Sequence, residues 1–470
     1  MDYCDLKGAN LENTNLSGAS LRGAIFDSST RFKGAIYSDQ TVLPFPEAYA
    51  QSRGMVLLGS EEINESFNDL FEYYVYSSNR YNDIHGLLLE AARLIDLGAN
   101  VNYKKGPGAY TPLINAINKF QKDDLPLTVK FLVDNGADPN LMGGFMDKDI
   151  PLMFVFKRGG IQEIELNVIQ ILLEAGAFGN SVKVAKEISQ RASSGYRGTT
   201  YDLLKLFLSY GLNPNLRWGD DYDYYGKNCT SLITAPGEDY DRPADFVELL
   251  LQNGAALEID GCRHVKVYKL LVKDFSAFDQ RLKLFDVLKK YKVDIPEYDE
   301  LNEPLAVELA ESAANSKTLK CKLELFKKAE ELGVNFQLIG KIPNPNPPAN
   351  AGSYGHNALM VYLRLSWFGK TYDDGRPMQE YDLQTDQAII EFLKNKGLDP
   401  DARDNHGRNI LHNSAALTPA RTDELSYKYF KRLVDAGVDI YAEDEFGYGV
   451  LHYATWPWVR DALLKLGAKE

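Results

Sequence analysis

Large apolar side chains recur at every fifth position near the start of the chain. Leu6, Leu11, Leu16, Leu21 and Phe26 keep that spacing, and Cys4, Ala9, Thr14, Ala19 and Ala24 stand two places before each. Neither an α-helix nor a flat strand has a period of five. The pattern predicts a narrow coil of short flat faces, with one large and one small residue per face turned inward and polar residues turned outward. Thr30-Arg31-Phe32-Lys33-Gly34-Ala35-Ile36-Tyr37 continues it after a one-residue slip in register.

Beyond Leu58 the apolar positions fall three and four apart, the spacing of amphipathic helices. Val129-Lys130-Phe131-Leu132-Val133, Phe246-Val247-Glu248-Leu249-Leu250-Leu251 and Tyr429-Phe430-Lys431-Arg432-Leu433-Val434 are such stripes. A common signature ends them. Leu97-Gly98-Ala99-Asn100-Val101-Asn102, Asn135-Gly136-Ala137-Asp138-Pro139-Asn140, Tyr210-Gly211-Leu212-Asn213-Pro214-Asn215 and Lys396-Gly397-Leu398-Asp399-Pro400-Asp401 are full copies, and shorter ones surround Gly176, Gly254, Gly333, Gly437 and Gly467. A glycine just past a helix takes the left-handed conformation that closes its last turn. The following Asn or Asp bonds its own backbone and starts a turn. Several segments then reopen a helix, as in Tyr110-Thr111-Pro112-Leu113 and Asn409-Ile410-Leu411-His412.

The stretch from Cys4 to about Pro44 resembles the pentapeptide-repeat family, which implies a short four-sided right-handed β-helix of about two coils. The signature from about Glu61 onward resembles the ankyrin repeat, a turn followed by an inner and an outer helix. The implied fold is therefore mostly α: an ankyrin-repeat α-solenoid of about nine to ten divergent units with a pentapeptide-repeat cap. Residues 1–46 are expected to form the cap, 47–60 a linker, and 61–470 the solenoid. Insertions are expected at about 217–227 and 341–384, because Gly333 and Gly397 lie 64 residues apart.

Some proteins of the pentapeptide type imitate DNA and inhibit type II topoisomerases. Two coils stacked ~4.8 Å apart make a column of about 10 Å, against ~34 Å for one turn of duplex. A lid on the solenoid is the expectation, with a DNA-mimicking regulator as the alternative.

Charge narrows the partner. A formal net charge of -14 opposes direct binding to nucleic acid or an anionic membrane and admits a basic protein. No apolar run reaches the ~18 residues of a membrane span, and the N-terminus lacks the basic and apolar regions of a signal peptide, so a cytoplasmic monomer is expected. Cys4, Cys229, Cys262 and Cys321 form no Cys-x-x-Cys pair. Cys229, Cys262 and His264 lie about one repeat apart without a fourth ligand at a recognised spacing, so no metal or cofactor is expected. The resemblance places His412 and His452 at the start of inner helices, where an imidazole bonds a neighbouring turn. No catalytic motif appears, and the chain is not expected to be an enzyme.

The insertions carry the candidate contact residues. Trp218, Asp220, Asp221, Tyr222, Asp223, Tyr224 and Tyr225 follow one turn signature, and the surrounding 197–260 holds eleven carboxylates against five basic residues. Tyrosine offers rigid contact area and carboxylates select a basic patch; an acidic loop without a partner is the competing reading. The second insertion has the proline-rich arm Ile342-Pro343-Asn344-Pro345-Asn346-Pro347-Pro348, then Tyr354, an expected helix over Ala358–Leu365, and Trp367, Phe368 and Tyr372. Those aromatics either anchor a partner or pack on the repeats. The function expected is recognition and inhibition of a partner protein, of a bacterial or phage immunity, antitoxin or anti-defence type, with a secreted effector that recruits host proteins as a further alternative.

Overall fold

The computed structural model describes residues 1–73, 84–144, 148–194, 199–219, 230–237, 240–256, 269–272, 278–293, 295, 297–298, 304–315, 322–338, 357–368, 380–404, 406–417 and 423–469. Two compact units divide the chain: Met1–Glu187 with Asp202–Asn213, and Ile188–Tyr201 with Pro214–Glu470.

In the first unit the period of five closes a coil. Parallel bridges join Asp5 to Ile25, Asn10 to Arg31, Asn15 to Ile36 and Ser20 to Val42. One circuit therefore takes 20 residues at first and 22 by the last bridge. The first extra residue enters between Ile25 and Arg31, where the slip was expected. Leu11, Leu16 and Leu21 are buried with Phe32, Ala35 and Tyr37, and Leu6 and Phe26 pack against them. Cys4, in the first circuit of the column, is exposed. Tyr3, Gly8, Asn13, Gly18 and Gly23 each take positive φ, so one residue in five turns a corner in the left-handed region. The residue before Leu6, Leu11 and Leu16 braces the same corner: Asp5, Asn10 and Asn15 accept the N–H two places on, at 3.1, 3.1 and 2.9 Å.

The column continues beyond Pro46. A short helix, Glu47–Ser52, leads to the strand Val56–Leu57, which pairs in parallel with Ile36–Tyr37. Gly59 then donates its N–H to Leu97 C=O at 2.8 Å, so the column's exit lies on the turn that ends the first helix pair. The approach is close. A Cβ on Gly98, itself at φ +82, would stand 3.0 Å from Gly59 N.

Ten helix pairs follow among the described residues, the fifth and tenth opening with a short 3-10 turn. Glu61–Glu72 with Ile84–Asp96, Pro112–Lys119 with Asp124–Asp134, and Pro151–Lys157 with Glu163–Glu174 are the first three. Within this unit the first members of each pair pack on one another, as do the second members, giving an inner and an outer row. Pro112–Lys119 shows why such a short helix forms. The Thr111 hydroxyl accepts Ile114 N–H at 3.2 Å, Pro112 starts the first turn, and Leu113 to Ile117 are all buried.

The second unit repeats the plan. Pro243–Gln252, Phe278–Lys290, Lys322–Glu331 and Glu380–Asn395 form its outer row, while Lys269–Val272, Leu305–Asn315, Ala358–Phe368 and Ile410–Leu417 form its inner row. Among the described residues, the 64-residue interval from Gly333 to Gly397 shows one helix pair, Ala358–Phe368 with Glu380–Asn395. Its first helix runs to Phe368, three residues beyond the expected end, which puts Trp367 and Phe368 in its last turn. No helix among the described residues is long and apolar enough to cross a membrane.

Candidate functional site

The glycine-ended turns do more than start the next helix. Asn100 and Asp138 make the expected local bonds to the N–H two residues on, at 2.9 and 2.8 Å. The second polar residue of each signature reaches into the following repeat. Asn102 donates to Gly136 C=O (2.9 Å) and accepts Asp138 N–H (2.7 Å). Asn140 does the same to Gly176 C=O (2.9 Å) and Phe178 N–H (2.8 Å). Asn215 repeats it on Gly254 C=O (3.0 Å) and Ala256 N–H (2.6 Å). A primary amide carries a donor and an acceptor side by side, so one asparagine satisfies both backbone groups.

Asp401 occupies the equivalent place with no donor. Its carboxylate accepts Asp439 N–H at 2.9 Å and so keeps only the accepting half of the asparagine pair, while Asn409 donates to Asp401 at 2.8 Å and to Asp439 C=O at 2.8 Å.

The first candidate surface begins directly after Asn215. Arg217–Trp218 pairs antiparallel with Thr230–Ser231, Arg217 opposite Ser231 and Trp218 opposite Thr230. Trp218 is 5% exposed, so its ring belongs to the base of this hairpin. Asp220, Asp221, Tyr222, Asp223, Tyr224 and Tyr225 lie outside the described residues, as do Cys229, Cys262 and His264.

Around the second insertion, Tyr354 and Tyr372 lie outside the described residues, and Trp367 and Phe368 are described only as helix backbone. The helices on either side are tied together by a buried group of polar side chains. Arg432, on Asp423–Ala436, pairs with both oxygens of Asp386, on Glu380–Asn395, and donates to Leu363 C=O at 2.9 Å. Tyr362 donates its hydroxyl to Asp386 at 2.8 Å. Burial first, and then the Asp386 charge, push the Tyr362 hydroxyl well above its ordinary pKa. Burial alone would lower Arg432, but the Asp386 carboxylate more than reverses that and holds the guanidinium charged. Sequence reasoning missed this group, because Arg432 sits inside an apolar stripe and its partner lies 46 residues away.

The last pair is built around Asp444. It accepts Phe446 N–H and Tyr448 N–H at 2.8 and 2.9 Å, and its other oxygen accepts the Tyr453 hydroxyl. Burial and that bond raise Tyr453 to about 12. The bonds received by Asp444 outweigh its own burial and keep its pKa low. His412 is buried, with Nδ1 2.7 Å from the Asn409 side-chain oxygen Oδ1 and its ring edge-on to Tyr453. Burial lowers its pKa.

Residues 3–35 match the family profile described as pentapeptide repeats, in eight copies. The human ASB11 ankyrin repeat domain is similar in structure at a TM-score of 0.37 and 16% identity, over 60% of this chain and 98% of that one. An ankyrin repeat protein of Acanthamoeba polyphaga mimivirus is 33% identical over 129 residues, covering 26% of this chain and 72% of the relative. Ankyrin repeats are scaffolds of protein–protein interaction, stacked so that each touches its neighbours and leaves an extended surface for a partner. Stacked helix pairs, glycine-closed turns and an inter-repeat asparagine bond, joined to a relative covered over most of its length, place this chain in the ankyrin-repeat protein family.

Proposed function

We propose that the chain is a non-enzymatic scaffold that binds and sequesters a protein with a basic surface, as an inhibitor of the immunity, antitoxin or anti-defence type. The observation that carries this reading is the paired base at Arg217–Trp218 and Thr230–Ser231. A buried tryptophan and two backbone-paired strands fix both ends of the acidic, tyrosine-rich segment 219–229, which lowers the entropy lost when it meets a partner. Its tyrosines supply contact area and its carboxylates favour a basic patch. Tyr354, Trp367, Phe368 and Tyr372 are proposed as further anchors.

The decoy alternative gains nothing from the extra strand. Three rungs, at Asn15, Ile36 and Val56, span about 10 Å at ~4.8 Å per step, well short of one ~34 Å duplex turn.

Affinity purification of the tagged full chain from its native cells tests the proposal. A stoichiometric partner is expected, lost when Asp220, Asp221 and Tyr224 are together changed to alanine. Undiminished capture by that variant would remove the segment from the interface.

A further inference from the structure

Phe446 is 70% exposed and Tyr448 46%, on the hairpin closed by the bridge between Glu443 and Gly449. Tyr448 lies flat against His452, ring centroids 3.9 Å apart, and the Phe446 ring stands 6.4 Å from Tyr448. Asp444 holds the backbone N–H groups of both Phe446 and Tyr448, so the rings are displayed on a fixed turn rather than a frayed end.

Two further observations indicate what such rings would meet. No lysine or arginine occurs between Arg432 and Arg460, while Asp439, Glu443 and Glu445 are exposed there. Elsewhere the chain covers rings with its own cations: Arg242 over Tyr201 at 4.0 Å, Lys157 over Phe154 at 4.8 Å, Lys396 over Phe392 at 4.9 Å. Among the described residues, none covers Phe446 or Tyr448. Glu445 is engaged by His406 at 2.6 Å, which leaves Glu443, opposite Gly449 at the foot of the same turn, as an exposed carboxylate without a described partner; Arg403 reaches only its backbone C=O, at 3.4 Å.

We propose that this turn binds an arginine-bearing segment of a partner protein, with the guanidinium stacked on Phe446 and Tyr448 and bonded by Glu443. Arginine fits better than lysine, because its planar, weakly hydrated cation stacks on a ring while its N–H fork reaches a carboxylate. The inference rests on the protein-binding reading but uses a surface separate from the insertions.

The test uses the full chain with fluorescently labelled nona-arginine and nona-lysine, followed by anisotropy. Phe446→Leu/Tyr448→Leu leaves net charge unchanged, and circular dichroism checks that the exposed substitutions preserve the fold. Arginine-peptide binding is expected to weaken about tenfold in that variant, with nona-lysine little affected, since the latter reports only general attraction to an acidic chain. Glu443→Gln is expected to weaken it more than Glu163→Gln, an equal change of charge in the other compact unit. Unaltered arginine-peptide affinity in the double variant, or equal effects of the two glutamate changes, overturns the proposal. So does concentration-dependent self-association that the double variant abolishes, which would assign the turn to a second copy. Partner capture lost in the Asp220/Asp221/Tyr224 variant but kept in Phe446→Leu/Tyr448→Leu would sink this inference and leave the proposed function standing; the opposite pattern would do the reverse.

Discussion

Neighbouring coils of the N-terminal column exchange backbone hydrogen bonds: Leu11 N–H to Arg31 C=O at 2.9 Å, Leu16 N–H to Ile36 C=O and Leu21 N–H to Val42 C=O at 2.8 Å. Neighbouring helix pairs use side chains for the same task, one asparagine holding one N–H and one C=O of the next turn. The difference explains how much irregularity each tolerates. An extra residue in the column has to be absorbed at a corner of the same circuit, and circuits vary only from 20 to 22 residues. A helix pair meets its neighbour through an apolar face and a few turn bonds, so extra chain leaves at a loop. The 64-residue interval between Gly333 and Gly397 is the extreme case.

The largest break expected in the helical half is at the buried ion pair beside that interval. Asp386 and Arg432 have side-chain exposures of only 5% and 9%. Removing one member strands a buried charge, which costs about 3–5 kcal/mol. Asp386→Ala is expected to lower the unfolding free energy from urea titration by that amount, and Asp386→Leu/Arg432→Leu to recover part of it. Hydrogen exchange should show the loss confined to helices of the second compact unit, with Leu11, Leu16 and Leu21 amides still protected. Exchange speeding up in the column as well would mean that the two repeat systems unfold as one.

A smaller effect is expected at the asparagine bond itself. Asn140→Ala removes a donor and an acceptor together and is expected to cost about 1–2 kcal/mol. Asn409→Ala should act similarly, since Asn409 donates to both Asp401 and Asp439 C=O. Asp401→Asn adds a donor for Gly437 C=O, the counterpart of Gly136 and Gly176 C=O, and should recover part of that loss in the Asn409→Ala background. Absence of that rescue, measured by urea denaturation, would break the equivalence of Asn102, Asn140, Asn215 and Asp401.

Local periodicity made much of this architecture legible. The leucines five apart announced the column and its slip, and the glycine signatures announced the helix pairs. The signature itself accounts for Asn102 and Asn140 only as turn formers, because their second partners lie 34 to 38 residues on. Trp218 looked like an interface anchor from composition and is buried, since strand pairing turns alternate residues inward. Phe446 and Tyr448 were unreadable for the converse reason: an aromatic in a repeat is ordinarily counted as core, and only the turn around Asp444 holds these two outside.

Acid should separate the halves by a smaller margin. Burial lowers the His412 pKa in the folded chain below its unfolded value of about 6.5. The fold therefore favours the neutral ring, and the unfolded chain binds a proton first. Stability is expected to hold above about pH 6.5 and to decline below it. His412→Gln should flatten that slope, and a slope identical to the native one in urea titrations would exclude His412 as its source.

The smallest predicted effect probes the phase of the five-residue period. Asn13 turns a column corner at φ +57, where glycine carries no steric penalty, and its N–H bond to Lys33 C=O at 3.1 Å needs no side chain. Asn13→Gly should stabilise the column by about 0.5 kcal/mol, the relief of the left-handed conformation exceeding the added freedom of the unfolded chain. Two residues later the same substitution should have the opposite sign. Asn15 does not take positive φ, and its side chain accepts Ser17 N–H at 2.9 Å, so Asn15→Gly loses a bond and should cost about 1 kcal/mol. Equal signs for the two changes in urea midpoints would mean that corner conformation does not set the column's repeat.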